Sequence, residues 1–471
     1  MKVTITPGAL SGGIRAIASK SMAHRLLIAA ALADRQTTIH CGELSRDIEA
    51  TADCLRQLGS DILYDESEGS FHVTPVPVVK RLKYADPAAD TGRQYAAEAG
   101  GDDDPDDYPA AGSNAGDDDP DESSYLGDII RTVREVLGVS RPQEKTTIDV
   151  GESGSTLRFL LPVVCALGIR THIVMHGRLP ERPLSPLWEE LIAHGCTLTR
   201  NEDGSIDTEG RLGGGTFAIA ANISSQFISG LLFAIPLLAE PGCIRLTGTV
   251  ESEGYIRMTI RALEMFGIYT DWKDDIITVK TKKYLSPGSV TVEGDWSNGA
   301  FWEAAGMLTD GAVSCTGLDE TSLQQDKAIR ALKQEICAGN SVIDCRNIPD
   351  LVPVMSVLAA VSPGTTTFTH AERLRIKESD RIRSSIDMLT ALGAEAEETE
   401  DGLKVTGRKS LRGGTVSSAG DHRIAMSAAI ASIVCEGPVI IEGAEAVQKS
   451  YPDFWEDFER LGGRILKENA G

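Results

Sequence analysis

The 471-residue chain lacks the short patterns that announce the commoner cofactor and nucleophile chemistries. It has no GxxxxGK[ST] phosphate loop, no GxGxxG after a strand, no GxSxG elbow and no HExxH pair, so a site in this protein must work by positioning, charge and proton transfer. Its nine cysteines are scattered, with no CxxC and no Cys/His ligand spacing, which predicts reduced, mostly buried thiols rather than a metal or disulfide framework. Long apolar runs are missing too. The two longest, near 159–169 and 228–239, each contain proline and are too short to span a bilayer, and MKVTITPGAL lacks a signal-peptide core. No membrane role is expected, and the compartment is expected to be the cytoplasm. Bases are outnumbered: 46 Lys and Arg against 69 Asp and Glu give a net charge of −23. Binding a nucleic-acid backbone by bulk positive charge is excluded, so any anion must be held by local basic clusters.

What is present is enough for two or more ordinary domains, with 41% apolar residues over this length. About half of the acidity sits in one stretch, 86–122, which carries 13 acids and a single base, Arg93. Rich in Asp, Gly, Pro and Ala, it cannot offset its ordering entropy by burial and is expected to be a solvated or disordered insertion spanning 80–145.

Outside it the chain repeats. CLRQLGSDILY, LWEELIAHGCTLTR, TIRALEMFGIYTDW, AIRALKQEICAGNSVI, SIDMLTALGAEAEE and DFERLGGRILKE each place aliphatic residues on one helical face, end in glycine and run into a strand. The closing glycines are Gly59, Gly195, Gly267, Gly339, Gly393 and Gly463, each expected to be a left-handed cap. Six units of alternating strands and helices predict an α/β protein with three units per half and a boundary near Val292.

Polar groups gather at the helix starts. Ser19, Lys20 and Ser21 precede MAHRLLIAAALA with Arg25 one turn on, an arrangement suited to an anion at the positive end of a helix dipole. Gly151–Arg158 (GESGSTLR) leads into FLLPVVCALG, HGRLPERP holds Arg178 and Arg182, and Ser224, Ser225 and Gln226 open another apolar helix. The densest cluster is RLRIKESDRIR, where Arg373, Arg375, Lys377, Arg381 and Arg383 surround Glu378 and Asp380. Cations beside a carboxylate suit phosphate binding joined to acid–base work. Gly420-Asp421-His422-Arg423 and Lys449-Ser450 mark two further starts.

The ordered motifs SKSMAHR, GESGSTLRF, LPERP, ISSQF, ESEGYI, VEGD, NIPDLVPV, RIKESDR, GDHRIAM and QKSYPDF resemble the enolpyruvyl transferases that act on shikimate 3-phosphate. The resemblance covers nearly the whole chain outside the insertion. It implies a two-domain, inside-out α/β barrel fold of six βαβαββ units, the first domain spanning 19–292 and the second 1–18 with 293–471. It implies transfer of the enolpyruvyl group of phosphoenolpyruvate to the 5-hydroxyl of shikimate 3-phosphate through a tetrahedral intermediate, without metal or cofactor and as a monomer. Matched residue by residue, Lys20, Ser21, Arg25, Ser224, Ser225, Gln226, Ser252, Tyr255, Asp350 and Lys377 would hold shikimate 3-phosphate. Lys20, Gly154, Arg182, Gln226, Arg381, Arg423 and Lys449 would hold phosphoenolpyruvate, and Asp350, Glu378 and Lys20 would be catalytic.

Glu152 and Ser155 stand where many members carry Asn and Thr, and Arg373 replaces an Asn. The sister reaction on UDP-N-acetylglucosamine is the rival reading. Its enzymes carry a loop cysteine five residues before Arg-Pro, where this chain has Gly177 before Arg182-Pro183. A non-catalytic repeat scaffold, the other alternative, would not gather bases at helix starts.

Overall fold

In the computed structural model the described residues are 1–77 and 145–468. The expected insertion lies outside them except for Lys145. The α/β class and the repeat are both present in the described residues, where one strand plan recurs in five four-stranded sheets.

In the clearest copy Thr146–Asp149 runs parallel to Thr171–Val174, which is antiparallel to Ile206–Gly210, which is antiparallel to Cys196–Arg200. The helices Gly154–Leu167 and Leu187–Ala193 make the first two connections and a hairpin the third, giving βαβαββ. Gly215–Ala220 with Gly242–Thr247 starts a second copy, and Ser341–Asp344 with Thr365–Thr369 a third.

The remaining sheets are assembled from distant parts of the chain. Ser289–Thr291 adds in parallel to Thr37–His40, with Val290 opposite Ile39. Lys2–Thr6 is inserted antiparallel between Val439–Glu442 and Arg464–Glu468. The sixth copy is reduced to Gly12–Arg15 beside Val313–Thr316.

Two apolar cores result. One gathers residues from Met22 to Val292, the other Val3, Ile5, Leu10 and Ile14 with Trp296 to Leu461. Each holds helices buried on every side: Met22 to Leu32 of Lys20–Leu32 in the first, and the whole of His422–Ala431 in the second. A helix with no polar face is stable only inside, and the half-apolar sheets cover it.

Five of the six expected glycine caps have φ near +75° to +103°; the sixth left-handed residue is Gly462, one position before the expected Gly463. Gly463 is needed for another reason, since a Cβ there would stand 2.2 Å from the Phe458 ring. Because the interior helices are apolar over most of their length, their charged groups gather in the first turns, and these shape the site.

Candidate active site

Four of the interior helices begin with a side chain folded back onto their own amides. Ser19 accepts from Met22 N, Ser153 from Thr156 N, Ser224 from Gln226 N and Asp421 from Arg423 N. These caps satisfy one free amide apiece and leave others near the helix mouth for a ligand.

The mouths open on a cleft lined by both halves of the chain. Every residue expected at the site lines it except Gly154 and Lys449. Gly154 backs the wall: a Cβ there would come within 2.7 Å of Arg158 Nη1 and 2.9 Å of Arg182 Nη1. Lys449 borders a neighbouring cavity, its ammonium 2.8 Å from Glu152.

Arg381 organises the second-half side. It is 1% exposed and meets three carboxylates: Nη1 to Asp350 at 2.6 Å, Nη2 to Glu378 at 2.7 Å and Nε to Asp421 at 2.7 Å. Asp350 also pairs with Arg423 at 3.1 Å and faces Lys377 at 3.8 Å, while Arg182 stands 3.7 Å from Glu378. One guanidinium therefore holds both expected catalytic carboxylates.

Burial alone would raise the pKa of both acids. For Asp350, the cations Arg423, Lys377 and Arg381 overcome it and hold the carboxyl well below the ordinary range. For Glu378, Arg381, then Arg182 and Lys449, do the same. Burial pushes Lys377 down to about 8, with Asp350 opposing. The cations expected around Glu378 are only partly those found, because Arg375 turns away to Glu398 at 2.5 Å and Asp380 at 3.3 Å.

On the first-half side Arg25 and Arg158 sit among neutral hydrogen-bonding groups. Arg25 donates to Thr259 Oγ1 at 2.8 Å, the Ser21 carbonyl at 2.5 Å and the Tyr255 carbonyl at 3.0 Å, and burial lowers its pKa to about 10. Gln226 accepts from Arg158 and donates to Ser155, both at 2.8 Å. Tyr255 reaches across to Asp350 at 3.4 Å and to Asp326 at 3.3 Å. Lys20 pairs with Asp47 at 2.8 Å.

Reading the sequence did not assign Arg158, Asp421 or His422. Arg158 and His422 line the cleft, inside motifs already singled out. His422 is buried, and burial, then Lys20 and Arg423, keep its imidazole neutral. Arg373, left unassigned, also lines the cleft and holds Glu251 at 2.6 Å and Ser252 Oγ at 2.9 Å.

A family model described as EPSP synthase (3-phosphoshikimate 1-carboxyvinyltransferase) matches residues 5–85 and 126–458. The chain belongs to that family. The unmatched stretch, 86–125, is shorter than the insertion expected from composition. Relatives named 3-phosphoshikimate 1-carboxyvinyltransferase from Clostridium acetobutylicum and Clostridium novyi are each 35% identical, over 100% of this chain and 99% of theirs. Among solved structures, an EPSP synthase from Acinetobacter baumannii superposes with a TM-score of 0.71 at 21% identity, covering 99% of this chain and 100% of that one. The enolpyruvyl transferase NikO from Streptomyces tendae reaches 0.66 at 17% identity, covering 100% of this chain and 99% of its own. At these identities the structural likeness is one of fold.

Proposed function

We propose that Asp350 and Glu378, held together on Arg381, carry the proton transfers of this family's reaction. The chain is an enzyme of the shikimate route to aromatic amino acids, moving the enolpyruvyl group of phosphoenolpyruvate to shikimate 3-phosphate with release of phosphate. Asp350, anionic in the free site, accepts the proton of the attacking 5-hydroxyl. Glu378 gives a proton to C3 of phosphoenolpyruvate as the new C–O bond forms at C2, and takes one back from the methyl group as the bond to phosphate breaks.

Glu378 must be protonated for its first step, yet in the free site Arg381, Arg182 and Lys449 hold it ionised. An anion that engages Arg182 removes part of that field, so the arriving substrate raises the proton affinity of its own acid. Arg182, Arg381, Arg423, Lys449 and Lys20 stabilise the phosphate and carboxylate of the tetrahedral intermediate. Arg25, Ser21, Ser224, Ser225, Gln226, Ser252, Tyr255 and Lys377 hold shikimate 3-phosphate, and Gly154 keeps its wall clear for phosphoenolpyruvate.

In this reading the chain has two domains, 19–292 and 1–18 with 293–471, works as a monomer in the cytoplasm and needs no metal or cofactor. Among the described residues no helix is long and apolar enough to cross a membrane. The observation that carries the proposal is the single buried guanidinium within 2.7 Å of both carboxylates. Release of inorganic phosphate when purified protein meets shikimate 3-phosphate and phosphoenolpyruvate together tests it. Release with UDP-N-acetylglucosamine as the only acceptor, and none with shikimate 3-phosphate, would end it.

A further inference from the structure

Lys449 is the one cation proposed for phosphoenolpyruvate that already has a half-exposed acid of its own. Its ammonium lies 2.8 Å from Glu152 Oε2, with the lysine side chain 11% exposed and the glutamate 50%. Glu152 sits between Gly151, at φ +58°, and Ser153, the cap of Gly154–Leu167, so its backbone is fixed on both sides. Its carboxylate lies flat on Gly177, where a Cβ would stand 2.7 Å from Oε1. The pair borders a second cavity beside the cleft, while the charge of Lys449 still reaches Glu378. Asp47, the partner of Lys20, lines that same cavity.

We propose that Glu152 is the resident counter-anion of Lys449 and sets the site's affinity for phosphoenolpyruvate. This rests on the reading of Lys449 as a ligand of that substrate. A phosphate or carboxylate arriving at Lys449 must take the ammonium from Glu152, whose exposed carboxylate swings into solvent as the anion docks. The exchange costs binding energy and leaves the chemistry untouched, so Glu152 acts on KM for phosphoenolpyruvate and not on kcat. It also keeps Lys449 neutralised between turnovers, which discourages capture of stray inorganic anions.

The test is steady-state kinetics on Glu152→Gln, Lys449→Ala and the double variant, with thermal unfolding of each. Glu152→Gln is expected to lower KM for phosphoenolpyruvate about three- to fivefold, the scale of a half-exposed ion pair, with kcat within about twofold and KM for shikimate 3-phosphate unchanged. Inhibition by inorganic phosphate should tighten in parallel. In the Lys449→Ala background the Glu152→Gln change should have no effect on KM, because the partner it neutralises is gone. An unchanged or raised KM in Glu152→Gln, while Lys449→Ala alone raises it, overturns the counter-anion and leaves the ligand. An unchanged KM in Lys449→Ala overturns both. A fall of kcat together with the unfolding midpoint in Glu152→Gln marks a structural residue and likewise overturns the proposal.

Discussion

The two sides of the cleft solve different problems with different chemistry. On the first-half side Arg25 and Arg158 are bonded to hydroxyl, carbonyl and amide oxygens, so their charge is not cancelled by a carboxylate. On the second-half side Arg381 is saturated by three acids and Asp350 by three bases. Uncompensated charge among neutral hydrogen-bonding groups is suited to gripping an anion. Compensated charge in a buried network is suited to moving protons, because an incoming ligand shifts a balance that already exists. The two sides are thus divided by how far their charge is compensated.

The hardest blow to that division should come from Glu378→Gln. It keeps shape and removes the titrating group, so kcat is expected to fall by about 10³-fold with KM for shikimate 3-phosphate within a few fold. A rate near that of the wild type would take Glu378 out of the mechanism. Arg381→Met should cost about 3–5 kcal/mol in urea-monitored stability, since three buried carboxylates lose their common partner. A loss below about 1 kcal/mol would mean that the network is not what holds this side together.

On the first-half side, Arg25→Ala should raise KM for shikimate 3-phosphate about 30-fold while leaving kcat within a few fold, the scale of lost charge-assisted hydrogen bonds. A collapse of kcat alone would blur the two sides. The pH dependence sharpens them further. Lys377 is pushed to about 8, so its ammonium is intact below that value and is lost above it. The profile of kcat/KM for shikimate 3-phosphate should therefore decline as pH rises through about 8, and Lys377→Arg should remove the decline. The smallest effect belongs to Arg383, which points outward to Asp387 at 3.0 Å. Arg383→Ala should change neither rate nor stability beyond about 0.5 kcal/mol.

How far the sequence foretold this depends on the range of the interaction. Ser19, Ser224 and Asp421 were legible as helix starts because a cap is a contact over two or three residues. The six-unit repeat was legible because glycine closes each helix, and it failed by one position where Gly462 and Gly463 stand side by side. The cluster RLRIKESDRIR read as one patch, yet the structure divides it. A 3₁₀ turn over Glu372–Ile376 ends before the helix Arg381–Ala391 begins, so helical spacing does not run through it. Arg375 and Arg383 therefore leave for the surface, and Arg381 goes inward. That Arg381 would meet Asp421, forty positions away, has no local signature: periodicity names the inward face but not the partner.

The strand Lys2–Thr6 is made long before the strands it pairs with. Its two neighbours, Val439–Glu442 and Arg464–Glu468, are the last strands among the described residues. During synthesis on the ribosome the residues from Met22 to Val292 can collapse as they emerge. Lys2–Thr6 must meanwhile wait, tethered and unmatched, until Val439–Glu442 and Arg464–Glu468 emerge to receive it. Moving the first 18 residues to the far end through a short linker would let that sheet close in order of appearance, and should quicken the last phase of refolding without altering the finished enzyme.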